Sequence, residues 1–245
     1  MVLRASLPKP KKTSFFDLPS ELRLRIYDFV LLSRPRTIDL DPLNYRQIAP
    51  RLTCFLVCHR MHEETYPIFY GSHDHPIRLF PLKDRFFHKG KPILSRIGPR
   101  YRAAVTTCEL RLGPGWSAPP KSWHTGESLG LVDCVSLRTL KIFIEIDPSN
   151  QFFEGFRGKG NTKESYQIFC VGILRGIMEQ VPSLKFVELD AYPSVTKDAP
   201  LVLALVRQIY AAGRRVVWGP LRGWEEKGDG GGQIGLENAM AAIRL

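Results

Sequence analysis

No apolar run in the chain approaches the roughly 18 to 20 residues that a membrane-spanning helix needs, so no spanning helix is expected. Cysteine is scarce as well. The five present, Cys54, Cys58, Cys108, Cys134 and Cys170, are odd in number and mostly flanked by apolar residues. That pattern excludes a disulfide scaffold and predicts reduced core thiols in a cytoplasmic or nuclear protein. The start, Met1-Val2-Leu3-Arg4-Ala5, runs into a Pro/Lys stretch instead of the apolar centre of a leader, which agrees with that placement.

Signatures of chemistry are also missing. There is no phosphate loop ending in Gly-Lys-Ser/Thr, no Gly-x-Ser-x-Gly elbow and no His-Glu-x-x-His. Gly230-x-Gly232-x-x-Gly235 has the letters of a dinucleotide fingerprint, but a hydrophilic stretch precedes it and no room follows for the strand-helix-strand unit that gives the motif its mechanism. Cys54-x3-Cys58-His59-x2-His62 has letters of a metal site, yet no second Cys/His pair stands at ligand spacing. The sequence therefore predicts no catalytic residue, no cofactor and no metal.

What the chain does have is enough apolar material for one sizeable core or two modest domains: 245 residues, 44% of them hydrophobic. It carries a formal charge of +11, and residues 1–100 hold 18 basic against 9 acidic side chains, so the excess lies mostly in the first part. One basic cluster is Lys9, Lys11 and Lys12; the other is Lys83, Arg85, Lys89, Lys91, Arg96, Arg100 and Arg102, with Phe86, Phe87 and Tyr101 interleaved. The second cluster reads as a solvated face whose aromatics point inward. Nucleic-acid binding, which would weaken steeply with salt, is the alternative.

The organisation follows from periodicity. Residues 1–14 read as a disordered basic arm. Leu22, Ile26, Phe29 and Val30 fall at helical spacing after Pro19, and Pro35 blocks continuation. A second helix is predicted over 50–70, with Cys54, Val57, Cys58, Met61, Thr65 and Ile68 on one face and Pro67 kinking or ending it. Two alternating stretches, 37–41 and 76–80, are expected to pair as a small hairpin-like ribbon. Beyond them one spacing recurs: Val105-x-x-Cys108-x-Leu110-x-Leu112, Leu137-x-x-Leu140-x-Ile142-x-Ile144 and Leu184-x-x-Val187-x-Leu189. It matches the strand-bearing part of a leucine-rich-type repeat. Helices are predicted from the stripe Ile168, Val171, Leu174, Ile177, Met178 and Val181 and over 200–212, with 214–218 as the closing strand. Strands alternating with helices predict a curved parallel sheet with right-handed crossovers. Residues 221–245 read as a flexible tail, with at most a marginal helix over 236–245.

Leu18-Pro19-Ser20-Glu21-Leu22, continued by Arg23-Leu24-Arg25-Ile26, resembles the opening of an F-box, and Leu56-Val57-Cys58-His59-Arg60-Met61 resembles its later helix. The ending Tyr66-Pro67-Ile68-Phe69-Tyr70-Gly71 is similar to the F-box-like form common in filamentous fungi. The resemblance covers about residues 15–80. It implies that Leu18, Pro19, Leu22 and Ile26 contact a Skp-type adaptor of a cullin-RING ubiquitin ligase, with Val57 and Met61 supporting them, and that the region after the head selects a protein substrate. The chain departs from a compact F-box in the connection between its helices, which spans residues 32–49.

The expected architecture is thus α/β: an F-box-like helical head over 15–80 with a small strand pair, then a curved, leucine-rich-repeat-like α/β region over 81–220. The expected activity is that of a non-catalytic adaptor. Glu109, Arg111, Lys141, Phe143, Glu188 and Asp190 alternate with the apolar strand residues, so they form the candidate substrate face, or else an ordinary solvated strand face. A structural interaction module without the ligase link differs only in ignoring the adaptor.

Overall fold

Three copies of one apolar spacing dictate the central sheet. In the computed structural model, which describes residues 13–33, 36–39, 41–81, 91–113, 118–148 and 162–224, the strands are β1 (Ile77–Arg78), β2 (Thr107–Leu112), β3 (Thr139–Ile144), β4 (Phe186–Ala191) and β5 (Arg215–Trp218). All neighbours are parallel and the spatial order is the chain order. The repeated spacing lies in register: Cys108, Leu140 and Val187 form one row, Leu110, Ile142 and Leu189 the next, and Leu112, Ile144 and Ala191 a third. All of these are buried, as are Val105, Leu137 and Leu184 in the preceding turns. Each large aliphatic residue so buried contributes roughly 1.5 to 3 kcal/mol of transfer free energy.

The helices are α1 (Ser20–Leu32), α2 (Pro42–Ile48), α3 (His59–Tyr70), α4 (Pro99–Ala104), α5 (Lys163–Gln180) and α6 (Pro200–Ala211). The α5 and α6 residues Leu174, Ile177, Leu205 and Ile209 join the same core as the inward strand residues. One sheet face is therefore covered and the other carries the alternate, polar positions. The core continues from Tyr27 and Leu31 of α1 to Trp224. None of the helices among the described residues is long and apolar enough to cross a membrane.

Several expectations need correction. On α1 the buried residues are Arg23, Tyr27 and Leu31, while the apolar stripe Leu22, Ile26, Phe29 and Val30 faces outward. The reason is a polar pairing that periodicity scores as surface: the Arg23 guanidinium meets Glu64 of α3 and the Leu18 carbonyl. The helix predicted over 50–70 is two elements. Residues Arg51–Leu56 form 3-10 turns, in which Thr53 Oγ1 and the Cys54 thiol donate to the carbonyls of Pro50 and Arg51, competing with an α-helical ladder. Cys58 is extended and its sulfur accepts the Met61 N–H, so α3 starts afresh there. It runs through Pro67 to Tyr70, with Gly71 as its C-cap.

The stretches 37–41 and 76–80 meet, but through one parallel bridge, Ile38 to Ile77, not as a hairpin. Ile77 belongs to β1, which parallel pairing to β2 makes the edge of the main sheet. On α5, Ile168 is exposed; the inward stripe starts at Tyr166 and Cys170, because the Tyr166 hydroxyl accepts the Gly113 N–H at 2.7 Å from inside the core. Helices α2 and α4, of seven and six residues, are too short to show a hydrophobic period. The basic arm at 1–12, Lys83, Arg85, Lys89, Phe86 and Phe87, and the glycine-rich and terminal segments from 225 onward lie outside the described residues.

Candidate functional site

The first candidate surface is built on α1. The Arg23–Glu64 pairing turns Arg23, Tyr27 and Leu31 inward, which leaves the residues 100° or more away around the helix axis facing water. Leu22 is 46% exposed, Ile26 41% and Phe29 77%, and the adjoining 3-10 turn adds Leu56 at 86% and Val57 at 63%. Leu18 and Pro19 are exposed at the start of the helix. A contiguous apolar helical stripe left in water is uncommon on a monomeric surface, which makes this one a candidate interaction surface. Met61 differs from the other residues expected there: it is half-buried and packs against the core.

The support beneath this surface is polar and firmly held. Arg23 donates to both Glu64 oxygens, from Nη2 at 2.8 Å and Nε at 3.0 Å, and the Tyr27 hydroxyl donates to the same carboxylate at 2.9 Å. Arg60 adds a fourth bond at 3.1 Å. The hydrogen bond from Arg23, then those from Tyr27 and Arg60, hold the Glu64 carboxyl down at about 2, and burial followed by the bond to Glu64 pushes the Tyr27 hydroxyl up to about 12. Because Arg23 also holds the Leu18 carbonyl, the entry into α1 is fixed relative to α3.

The second candidate surface is the polar face of the sheet. All six residues read from the strand alternation, Glu109, Arg111, Lys141, Phe143, Glu188 and Asp190, line one groove of about 190 Å³, joined by Thr37 and the Ile142 backbone region. Parallel register sets Glu109, Lys141 and Glu188 side by side and Arg111, Phe143 and Asp190 in the next row. Glu109 is held by the buried Arg78 at 3.3 Å and by the Thr37 hydroxyl; Arg78 also meets Asp39 at 3.2 Å. Arg111 pairs with Glu145, donates to the Tyr192 hydroxyl at 2.8 Å and lies over the Phe143 ring at 4.8 Å. Asp190 accepts the backbone N–H groups of Leu221 at 3.0 Å and Arg222 at 2.8 Å.

The residues that sequence reasoning missed are those that support the two surfaces: Arg23, Tyr27 and Glu64 below α1, and Thr37, Asp39 and Arg78 at the sheet edge. Asp41-Pro42 was an available signal for α2, since Asp41 caps it by accepting the N–H groups of Leu43 and Asn44.

The other sequence motifs behave differently. Cys58, His59, His62, Glu63, Arg100 and Tyr101 line a cleft where α3 meets α4. His62 is engaged there by the Phe55 carbonyl at 3.2 Å and the Tyr101 hydroxyl at 2.9 Å. Among the described residues no group of three or more His, Cys, Asp or Glu side chains is placed to hold a metal. From the second basic cluster, Arg100 is paired with Glu63 and Arg102 with Asp133 at 2.7 Å, while the Tyr101 ring packs against Tyr66 and Tyr70. Burial pushes the Cys108, Cys134 and Cys170 thiols up, Cys134 to about 12, which suits packing and not nucleophilic work. No protein-family model, no curated protein and no solved structure matches this chain.

Proposed function

We propose that the protein is a non-catalytic, F-box-like adaptor that recruits a protein substrate to a Skp-cullin-type ubiquitin ligase. The observation that carries the proposal is the exposure of Leu18, Pro19, Leu22 and Ile26, the residues of the Leu-Pro-x-Glu-Leu motif and its continuation, on an otherwise well-anchored helix. Burying apolar area of this kind against a partner is the main favourable term in association. The described residues of the 32–49 connection do not cover that face: Ile38 bridges to Ile77 and Asp39 meets Arg78, at the sheet edge.

In this reading the head docks and the α/β region, with a leucine-rich-type curved sheet, presents the groove to a substrate. The protein itself performs no bond chemistry. Its contribution is effective concentration, since a substrate held beside the ligase is modified by other subunits.

Co-expression with a Skp-type adaptor followed by size-exclusion chromatography tests the proposal. The expected result is a one-to-one complex that Leu22→Asp with Ile26→Asp dissolves while the far-ultraviolet circular dichroism stays unchanged. Separate elution of the two folded wild-type proteins would refute it.

A further inference from the structure

We infer that the sheet-face groove receives the uncharged side-chain amide of an Asn or Gln of a partner protein, held between Lys141 and Glu188. The inference rests on reading this face as the substrate side.

Most polar groups in the groove are already used. Both Glu109 oxygens are taken, one by Arg78 and one by Thr37. Both Asp190 oxygens accept backbone N–H groups, and Arg111 is divided between Glu145, Tyr192 and the Phe143 ring. Lys141 and Glu188 are different. Their charged atoms stand 3.8 Å apart, too far for a hydrogen bond, and His73 Nε2 stands 3.9 Å from the same Glu188 oxygen. Yet their side chains are only 24% and 16% exposed, so each retains hydrogen-bonding capacity in a place with limited access to water.

The pair selects by its symmetry. A carboxylate approaching Lys141 comes up beside Glu188, and an ammonium approaching Glu188 comes up beside Lys141, so a ligand charge of either sign meets repulsion together with attraction. An amide meets neither penalty: its oxygen accepts from Lys141 and its N–H donates to Glu188. Arg111 and Phe143, in the next row of the sheet, border the pair, with the Arg111 guanidinium over the Phe143 ring at 4.8 Å and Tyr192 edge to face with that ring at 4.9 Å. The primary amide of an Asn or Gln side chain presents its oxygen and one N–H on the same edge, as the 3.8 Å spacing of Lys141 and Glu188 requires, whereas a trans main-chain amide points them to opposite sides.

Nuclear magnetic resonance titration of the full chain with four blocked peptides tests this: acetyl-Gly-X-Gly N-methylamides with X as Gly, Gln, Lys or Glu, so that only the Gln peptide carries a primary amide. The Gln peptide is expected to shift the resonances of Lys141 and Glu188 and to bind about tenfold or more tightly than the Gly, Lys and Glu peptides, the difference of one well-made hydrogen bond. Equal binding of the Gly and Gln peptides would place the contact on the main chain common to both and overturn the side-chain assignment. Lys141→Met and Glu188→Leu should each weaken binding about tenfold. The exchanged variant, Lys141→Glu with Glu188→Lys, should keep it, because an amide turned over still finds one donor and one acceptor.

Lys or Glu peptides binding as tightly as the Gln peptide, shifts confined to another surface, or single variants that bind like the wild type would overturn the inference. If a single variant fails to fold, the peptide series on the wild type and the exchanged variant still decide. Adaptor capture measured on the same samples separates the two ideas. Capture without amide selectivity removes the groove inference alone, and amide selectivity without capture removes the ligase reading and leaves the groove standing.

Discussion

Arg23 and Glu64, 41 residues apart in the chain, meet through two hydrogen bonds of 2.8 and 3.0 Å. This pairing decides which way α1 faces. Its guanidinium is turned into the protein with Tyr27 and Leu31, and the aliphatic stripe of the same helix is left facing water.

The first prediction concerns acid stability. Glu64 is held at about 2 against an ordinary value of 4.5, mainly by the hydrogen bond from Arg23. A lowered carboxyl contributes stability that is complete above 4.5 and is lost as the pH falls toward 2. Glu64→Gln should therefore flatten the decline of Tm between these two values, and lower Tm at neutral pH more than Arg60→Ala does. Calorimetry of the two variants across that range checks it.

At the alkaline end Tyr27 acts with the opposite sign. Its hydroxyl is raised from 10.0 to about 12, so its contribution is complete below 10 and fades as the pH approaches 12. Tyr27→Phe should lose stability at neutral pH and remove that part of the alkaline decline, read by chemical denaturation at a series of pH values.

The register of the sheet yields a stability contrast. Leu140 and Val187 are fully buried neighbours on adjacent strands. Leu140→Ala should cost about 2 to 5 kcal/mol, as large-to-small core changes do. Lys185→Ala, at the exposed position directly before β4, should stay within about 0.5 kcal/mol. Equal urea midpoints for the two would contradict the register.

Asp190 is a structural member of the groove. Removing its carboxylate in Asp190→Ala leaves the Leu221 and Arg222 N–H groups without their acceptor and should cost about 1 to 3 kcal/mol. The turn it secures carries the buried Trp224, packed edge-on to Trp218 at 5.3 Å. A red shift of tryptophan emission and easier quenching in the variant, with Asp190→Asn intermediate, are the expected readouts.

Gly213 closes α6 with φ of +68° and no neighbouring atom in the way of a side chain. The cost of Gly213→Ala is then conformational alone, about 1 to 2 kcal/mol. Gly213→Asn should recover part of it, since Asn tolerates the left-handed region better. Thermal melts of the two variants give the comparison.

The parts of the fold that were legible share one property: their apolar spacing repeats. Val105, Leu137 and Leu184 with their following strands announce β2, β3 and β4, and the alternate positions identify all six strand residues of the groove. The illegible parts depend on polar groups that find distant partners. Arg23 is buried because Glu64 waits on another helix, so reading α1 by hydrophobicity alone turns it the wrong way. The break before α3 comes from an extended Cys58 and local side-chain bonds to the backbone, which a helical stripe through Cys54, Val57 and Met61 hides. The parallel bridge of Ile38 to Ile77 is equally non-local, since an alternating stretch does not announce the direction of its neighbour.

The measurement that tests the central claim most directly is calorimetric titration of the purified chain with a Skp-type adaptor. Wild type, the Leu22→Asp/Ile26→Asp variant and the groove variant Lys141→Met are compared, with circular dichroism on each. The account predicts one-to-one binding with a negative heat-capacity change for wild type and Lys141→Met, and none for the folded α1 variant. Absence of binding by the folded wild type, or binding that survives the α1 substitutions, would contradict it.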